Sequence, residues 1–483
     1  MNFSIIKRTL GWILLFEAIF FLVPLITAIV YWEEAFFSFL ISIAICAALG
    51  GLCIIGKPKN TSLYAKEGCV IVALCWIVMS LFGALPFYLS GKIPSYIDAL
   101  FEIVSGFTTT GATIIPTGEE IEALPRCILI WRSFSHWVGG MGVLVFIMAF
   151  LPLSGARNLH IMKAESPGPV VGKLVPKVKK TASILYLIYT VMSVIQFVLL
   201  LCGGMPVFDA LNTVFATAGT GGFSVKADGF AGYSTYLQII VIVFMLLFSI
   251  NFNSYYLLLK GKWKDAFNEE VRAFLIVVFA AIGLITLNLH FTETQVLQGG
   301  EALKQSAFTV ASVISTTGFS VENFDLWPSF SKTILVVLMF IGACAGSTGG
   351  GIKMSRWLML GKSAGNEVNR MLHPKQVKKI SVDKQVIDEE VARSVTSYLI
   401  AFILIFVASL LVISLDGKDL ISSFTSVATT MNNVGPGLGE VGPVGSFADF
   451  SWWSKLVFVF DMLVGRLEVF PMLVLFAPTT WKK

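Results

Sequence analysis

The residues of this chain best placed to do chemistry lie in four short tracts built on threonine, asparagine and glycine. They read Thr108-Thr109-Thr110-Gly111-Ala112-Thr113, Ala218-Gly219-Thr220-Gly221-Gly222-Phe223, Ser315-Thr316-Thr317-Gly318-Phe319-Ser320 and Met431-Asn432-Asn433-Val434-Gly435-Pro436. None of them offers an acid, a base or a thiolate. What each offers is backbone. Glycine admits the left-handed or extended dihedrals that aim successive carbonyl oxygens at one line, and its missing side chain lets several turns approach closely. Oxygens gathered in this way can replace the hydration shell of a metal cation. With Gly111, Gly221, Gly318 and Gly435 taken as equivalent, the tracts are 110, 97 and 117 residues apart. One unit thus recurs four times, and four copies around an axis enclose a pore. A single such tract reads equally well as an ordinary Gly/Thr turn; four recurring in register do not.

Each tract follows a segment too short to cross a bilayer and too apolar to float in solvent, at residues 96–107, 207–216, 304–314 and 419–428. A half-helix entering from outside points its C-terminus, the negative end of its macrodipole, at the membrane centre, which favours a cation there. The chain must then return with non-helical backbone, tolerable at that depth only where it lines a water-filled cavity.

Composition sets the surroundings. Hydrophobic residues make up 56% of the 483 and charged residues 13%, against about 45–50% and about 25% in soluble domains. Ten runs are long enough for a helix to cross roughly 30 Å of hydrocarbon. They lie near 10–31, 36–55, 69–89, 128–153, 182–201, 237–259, 273–290, 334–360, 394–415 and 456–477. With the N-terminus inside, 26 of the 35 lysines and arginines fall on inside segments, as the positive-inside rule requires. Both termini are then cytoplasmic and all four tracts lie on the outer side. The net charge of +5 is mostly this bias, and no nucleic-acid partner is read from it. The first run is longer than a signal-peptide core and no small-residue cleavage site closes it.

The seven cysteines form no C-x-x-C pair and, with His136, His160, His290 and His373, are read as packing residues. The spans hold few polar residues and no acid, base and nucleophile cluster, so no enzyme is expected.

Two features lie below the tracts. The run 334–360 is interrupted by Gly342, Gly346, Gly349, Gly350 and Gly351, each costing roughly 1 kcal/mol against alanine in a helix. The helix is expected to break there into a loop across the pore, flanked by Thr348 and Lys353, although close packing of small residues between helices would account for the same glycines. Arg466 sits in the middle of the last span, where a guanidinium costs about 2.5–3.5 kcal/mol. Asp461 and Glu468 do not share its helical face, so it is expected to face a polar cavity. There it would act as a barrier to cations, as a structural donor to loop carbonyls, or as both.

These residues resemble the Trk/Ktr/HKT superfamily of potassium transporters, and within it the TrkH-type subunit of bacterial Trk systems. The resemblance covers essentially the whole chain and rests on Thr110-Gly111, Thr220-Gly221, Thr317-Gly318 and Val434-Gly435. It is supported by the runs Trp137–Gly142, Ala345–Lys353 and Asn432–Gly437. It implies an all-α polytopic membrane fold, with two N-terminal transmembrane helices followed by four helix, re-entrant pore loop, helix repeats in pseudo-fourfold arrangement. The segments would be 1–60 for the extra helices, then 61–165, 166–262, 263–380 and 381–483 for the repeats. It implies further that K⁺ is held by Thr109, Thr110 and Gly111, by Gly219, Thr220 and Gly221, by Thr316, Thr317 and Gly318, and by Asn433, Val434 and Gly435. Gly346, Gly349, Gly350, Gly351 and Arg466 would form the gate.

The implied activity is K⁺ uptake across a bacterial inner membrane, with Na⁺ permeation or ion-coupled symport as the alternatives. The implied partners are a second copy of the chain and a cytosolic TrkA-type nucleotide-binding ring, docked on the basic inside loops 154–181 and 362–393. Those loops also suit contact with anionic lipid. No nucleotide site is visible in the chain itself.

Overall fold

The computed structural model describes residues 1–55, 64–116, 118–142, 178–292, 299–374, 380–383 and 385–481. Among them the chain is helical apart from loops and one two-residue antiparallel ribbon, Ser381–Val382 with Gln385–Val386. Six helices are long and apolar enough to cross a membrane: Phe3–Tyr31, Phe36–Ile54, Lys66–Leu89, Thr181–Cys202, Glu269–Phe291 and Glu389–Asp416. The first two pack against one another. The other four each open one of the four repeats. Ile276, Phe279, Leu404 and Leu411 on these helices are exposed, as a surface facing lipid tails allows.

Ten continuous spans were expected, and the difference lies in the second helix of the repeats, which is interrupted in the second, third and fourth. The first, Arg126–Gly140, ends at the Gly139-Gly140 pair; the rest of its expected run lies outside the described residues. The second is bent by 92° between Thr235–Phe248 and Phe252–Leu259. The third stops at Phe340 and resumes at Met354. The fourth breaks after Trp452–Arg466 and resumes at Phe470–Phe476, through Glu468 at φ 57° and Val469 at φ 68°. A β-branched residue at positive φ is a conformational outlier that its surroundings must hold in place.

The four half-helices are Tyr96–Phe107, Val207–Gly219, Gly299–Ile314 and Leu420–Asn432. At 12 to 16 residues and 1.5 Å per residue they fall short of a bilayer. Their starts are set locally. The Ser95 side chain accepts from the Asp98 amide, and that of Asp419 accepts from the Ile421 and Ser422 amides, satisfying donors that a helix start leaves open. Their C-terminal turns are buried.

Candidate functional site: a ring of four pore loops

All four half-helices end in the same way. Thr109, Thr220, Thr316 and Asn433 adopt φ of 55–59°, and their amides donate to Gly106, Thr217, Val313 and Thr430, three residues back. The next amides, those of Thr110, Gly221, Thr317 and Val434, donate to Ser105, Ala216, Ser312 and Thr429, five residues back. This paired closure on a left-handed residue is the Schellman motif. It normally ends in glycine or asparagine, yet three of the four positions hold threonine.

The glycine that follows has positive φ in every repeat: Gly111 (80°), Gly222 (75°), Gly318 (85°) and Gly435 (100°). The register expected for the second tract is therefore corrected by one residue. Gly222 is the equivalent of Gly111, Gly221 takes the place of Thr110, and Gly219 is the last residue of the half-helix. The sequence Gly221-Gly222 offered two candidates, and only the position of the Schellman turn separates them.

These glycines close a ring. A Cβ placed on Gly111 would fall on the carbonyl oxygen of Gly221, and one on Gly222 on that of Thr317. One on Gly318 would fall on that of Val434, and one on Gly435 would lie 2.8 Å from that of Thr110. Each repeat presses its glycine on its neighbour's carbonyl, in the order one, two, three, four and back to one. A Cβ on Gly111 would also lie 3.6 Å from the Thr317 oxygen of the opposite repeat, so the four turns converge on one narrow line. Above them a cavity of about 110 Å³ is lined by all four glycines.

Three of the four left-handed residues turn their side chains toward what lies below. Thr109 Oγ1 accepts from Arg466 Nη1 at 3.1 Å, Thr316 Oγ1 accepts from the Gly350 amide at 2.6 Å, and Asn433 Nδ2 donates to the Met462 carbonyl at 3.0 Å. Glycine at those positions would relieve the backbone and lose these contacts.

The expected break in the third repeat is a loop from Ile341 to Lys353. Its two strands meet where the Gly342 amide donates to the Ile352 carbonyl at 3.0 Å. The loop fits under the ring because Gly349 and Gly350 have no side chain: a Cβ would lie 3.0 Å from the Ser315 oxygen in the first case and 2.6 Å from the Asn432 oxygen in the second. Gly346 and Gly351 take positive φ. Lys353 is buried and its Nζ donates to the Gly349 carbonyl and, at 3.5 Å, to that of Gly350. Glu270, which sequence reasoning missed, latches the loop: its Oε1 accepts from the Ala345 amide at 2.7 Å and the Ser355 amide at 3.0 Å. A carboxylate at the start of an apolar run reads as a helix start, and nothing local links it to a segment 75 residues away.

Arg466 is where the pieces meet. Besides Thr109, it donates to the Thr348 carbonyl at 2.8 Å and to those of Gly139 and Gly140 at 2.5 and 2.6 Å. One side chain of the fourth repeat thus reaches the loop Ile341–Lys353 of the third and the end of helix Arg126–Gly140 in the first. Glu468 pairs with Arg356 and Asp461 accepts from Ser409.

The outer flank is also braced. Glu102 and Arg132, both buried, form an ion pair at 2.7 Å. Glu102 accepts from Thr113 Oγ1 at 3.0 Å and the Ile114 amide at 3.0 Å, just past Gly111. Single carboxylates lie buried in the apolar segments: Glu17, Glu102, Glu270 and Asp461. A run of mostly apolar residues hides single carboxylates that tertiary partners or burial accommodate.

No group of three or more His, Cys, Asp or Glu side chains suited to a metal occurs among the described residues, and the seven cysteines are free. The oxygens on offer are those of the backbone.

Comparison with known proteins agrees with this architecture. The chain is 36% identical over 493 residues to the Trk system potassium uptake protein TrkH of Salmonella typhimurium, with full coverage of both. It is 31% identical to TrkG of Escherichia coli, covering 99% of this chain and 98% of that one. The crystal structure of the potassium transporter TrkH from Vibrio parahaemolyticus superposes with a TM-score of 0.88 at 33% identity over the whole of both chains. The family model TrkH, described as a cation transport protein, matches residues 35–483. With its spanning helices, its four pore loops and no enzyme among these relatives, the chain belongs to the TrkH family of cation transport proteins.

Proposed function

We propose that the protein takes up K⁺ through the ring formed by the pore loops, in a bacterial inner membrane with both termini in the cytoplasm. The carbonyls of Thr109 and Thr110, Thr220 and Gly221, Thr316 and Thr317, and Asn433 and Val434 would coordinate the dehydrated ion, and Gly111, Gly222, Gly318 and Gly435 provide the close approach. The observation that carries this reading is the closed order of glycine-to-carbonyl contacts around the four repeats. The C-termini of four half-helices, each negative by its macrodipole, point at the same line.

Below the ring the path is closed by the loop Ile341–Lys353 and by the guanidinium of Arg466. Opening requires the loop to leave Thr316 and Asn432, and Arg466 to leave the carbonyls it holds. Homologues named Trk potassium uptake proteins support the choice of ion. A TrkA-type cytosolic ring bound to a pair of these subunits would supply the force.

The test is reconstitution of the purified chain in liposomes with opposed K⁺, Rb⁺ and Na⁺ gradients and measurement of the reversal potential. A potential that follows K⁺ and Rb⁺ supports the reading. One that follows Na⁺ equally, or that shifts with a pH gradient, moves the protein to the sodium-permeable or ion-coupled alternative.

A further inference from the structure

We infer that His136 is a positioning residue of the ion filter, its imidazole standing in for the side chain that the second pore loop lacks. The inference rests on the filter reading given above and adds to it a residue that touches no ion.

The second loop is the irregular one. At the position after the left-handed residue the first and third repeats carry Thr110 and Thr317, whose hydroxyls bond back to the ends of their half-helices, to Thr108 at 2.8 Å and to Ser315 at 2.6 Å. The second repeat has Gly221 there, with no side chain to make such a peg. The space is filled. A Cβ on Gly221 would fall on the imidazole of His136, and one on Gly219 on the His136 carbonyl. His136 comes from the second helix of the first repeat and is fully buried.

Its two nitrogens are both used. Nδ1 lies 2.7 Å from the Gly106 carbonyl oxygen and Nε2 lies 3.4 Å from the Phe223 nitrogen. A carbonyl only accepts and an amide only donates, so Nδ1 carries the proton and Nε2 accepts. The Gly106 carbonyl also receives the amide of Thr109 at 3.1 Å, the turn that opens the first filter strand. Phe223 directly follows Gly222, and its ring packs at 4.4 Å from the imidazole on one contact and at 4.2 Å from the Arg132 guanidinium on another. One imidazole therefore holds the start of the first filter strand and the end of the second at a fixed spacing.

The charged groups nearest this ring are Arg132 on its own helix, with its partner Glu102, and Arg466 from the fourth repeat below. None of these accepts from the imidazole. Neither ring nitrogen needs water, and the bridge is a rigid link between adjacent filter strands. On the size-fit account of K⁺ over Na⁺ selection such links contribute directly, because they oppose the oxygens closing in around the smaller ion.

The experiment compares K⁺ and Na⁺ reversal potentials of the full chain in liposomes for the wild type, His136→Phe, His136→Gln, Gly221→Thr and the exchange His136→Ala with Gly221→Thr. Phenylalanine keeps the ring and loses both bonds, and the K⁺ over Na⁺ permeability ratio should fall about tenfold for the loss of two buried hydrogen bonds. Glutamine offers a donor and an acceptor and should keep most of the ratio. The exchange returns a threonine peg to the second loop in the space vacated by the ring and should recover selectivity that Gly221→Thr alone destroys. The inference is overturned if His136→Phe discriminates as the wild type does, or if phenylalanine and glutamine lose the ratio equally. If His136→Phe does not fold, as judged by size-exclusion elution, glutamine and the exchange variant decide between the same outcomes. A wild type that does not discriminate K⁺ from Na⁺ would instead remove the filter reading itself.

Discussion

Arg466 Nη1 donates to the Thr109 hydroxyl at 3.1 Å while Arg466 Nη2 holds the Gly139 and Gly140 carbonyls, so the positive charge at the end of helix Trp452–Arg466 is fastened to the turn that closes the first half-helix. A guanidinium does this because its planar fork serves several acceptors at once, whereas an ammonium is a single point charge. The carbonyls it holds are those left open where the helix Arg126–Gly140 ends, which makes that helix end and the half-buried arginine two halves of one solution.

Removing that charge should ease permeation. At an effective dielectric near 20, a unit charge about 5 Å from a dehydrated cation opposes it by roughly 3 kcal/mol. Arg466→Ala is expected to raise Rb⁺ uptake into K⁺-loaded liposomes about tenfold or more. Arg466→Lys keeps the charge but not the fork, and should stay near the wild-type flux while melting at lower temperature. Unchanged flux in a well-folded Arg466→Ala protein would exclude the barrier role.

The hydroxyl of Thr316 ties the loop Ile341–Lys353 to the third pore-loop turn through the Gly350 amide at 2.6 Å. Thr316→Ala leaves that buried donor unsatisfied, a loss of about 1–3 kcal/mol to the closed loop, and should raise basal flux several-fold. Thr316→Ser retains the oxygen and should behave as wild type. The same uptake assay reads both, and equal flux in the two variants would separate the loop from the filter.

The corrected register makes its own claim. An alanine at Gly222, with φ 75° and a Cβ falling on the Thr317 carbonyl, should abolish K⁺ flux as alanine does at Gly111, Gly318 or Gly435. A left-handed backbone costs a β-carbon residue about 1–2 kcal/mol before the steric clash is counted. Flux retained in Gly222→Ala alone among the four would return the filter position to Gly221.

Glu102 and Arg132 should be strongly coupled. Leaving one buried charge without the other costs about 3–5 kcal/mol, so Glu102→Ala and Arg132→Ala should each lower the melting temperature in detergent sharply. The double variant should lose much less than their sum. Additive losses would mean that the pair does not act as a unit.

Much of this protein could be read along the chain. Apolar runs of spanning length, charge asymmetry between loops and a fourfold tract depend only on local composition and order, and they led to helices, pore loops and family. The break at Gly342–Gly351 and the odd placement of Arg466 were legible for the same reason, as residues whose cost in an apolar helix demands an explanation nearby.

What the chain order could not reveal was which distant groups answer each other. The Gly221-Gly222 pair has the same composition in either register, and only the hydrogen bonds that end the half-helix Val207–Gly219 choose between them. The closure of the ring, the latch of Glu270 on Ala345 and Ser355, and the seat of His136 between two loops join residues 75 or more positions apart or lying in different repeats. The sequence by itself determined that four backbone turns sit among membrane helices. The tertiary structure alone decided that each turn's glycine meets its neighbour's carbonyl around one line and which groups lie beneath, because close approach of backbones and pairing of buried polar groups are properties of the packed state and leave no local pattern.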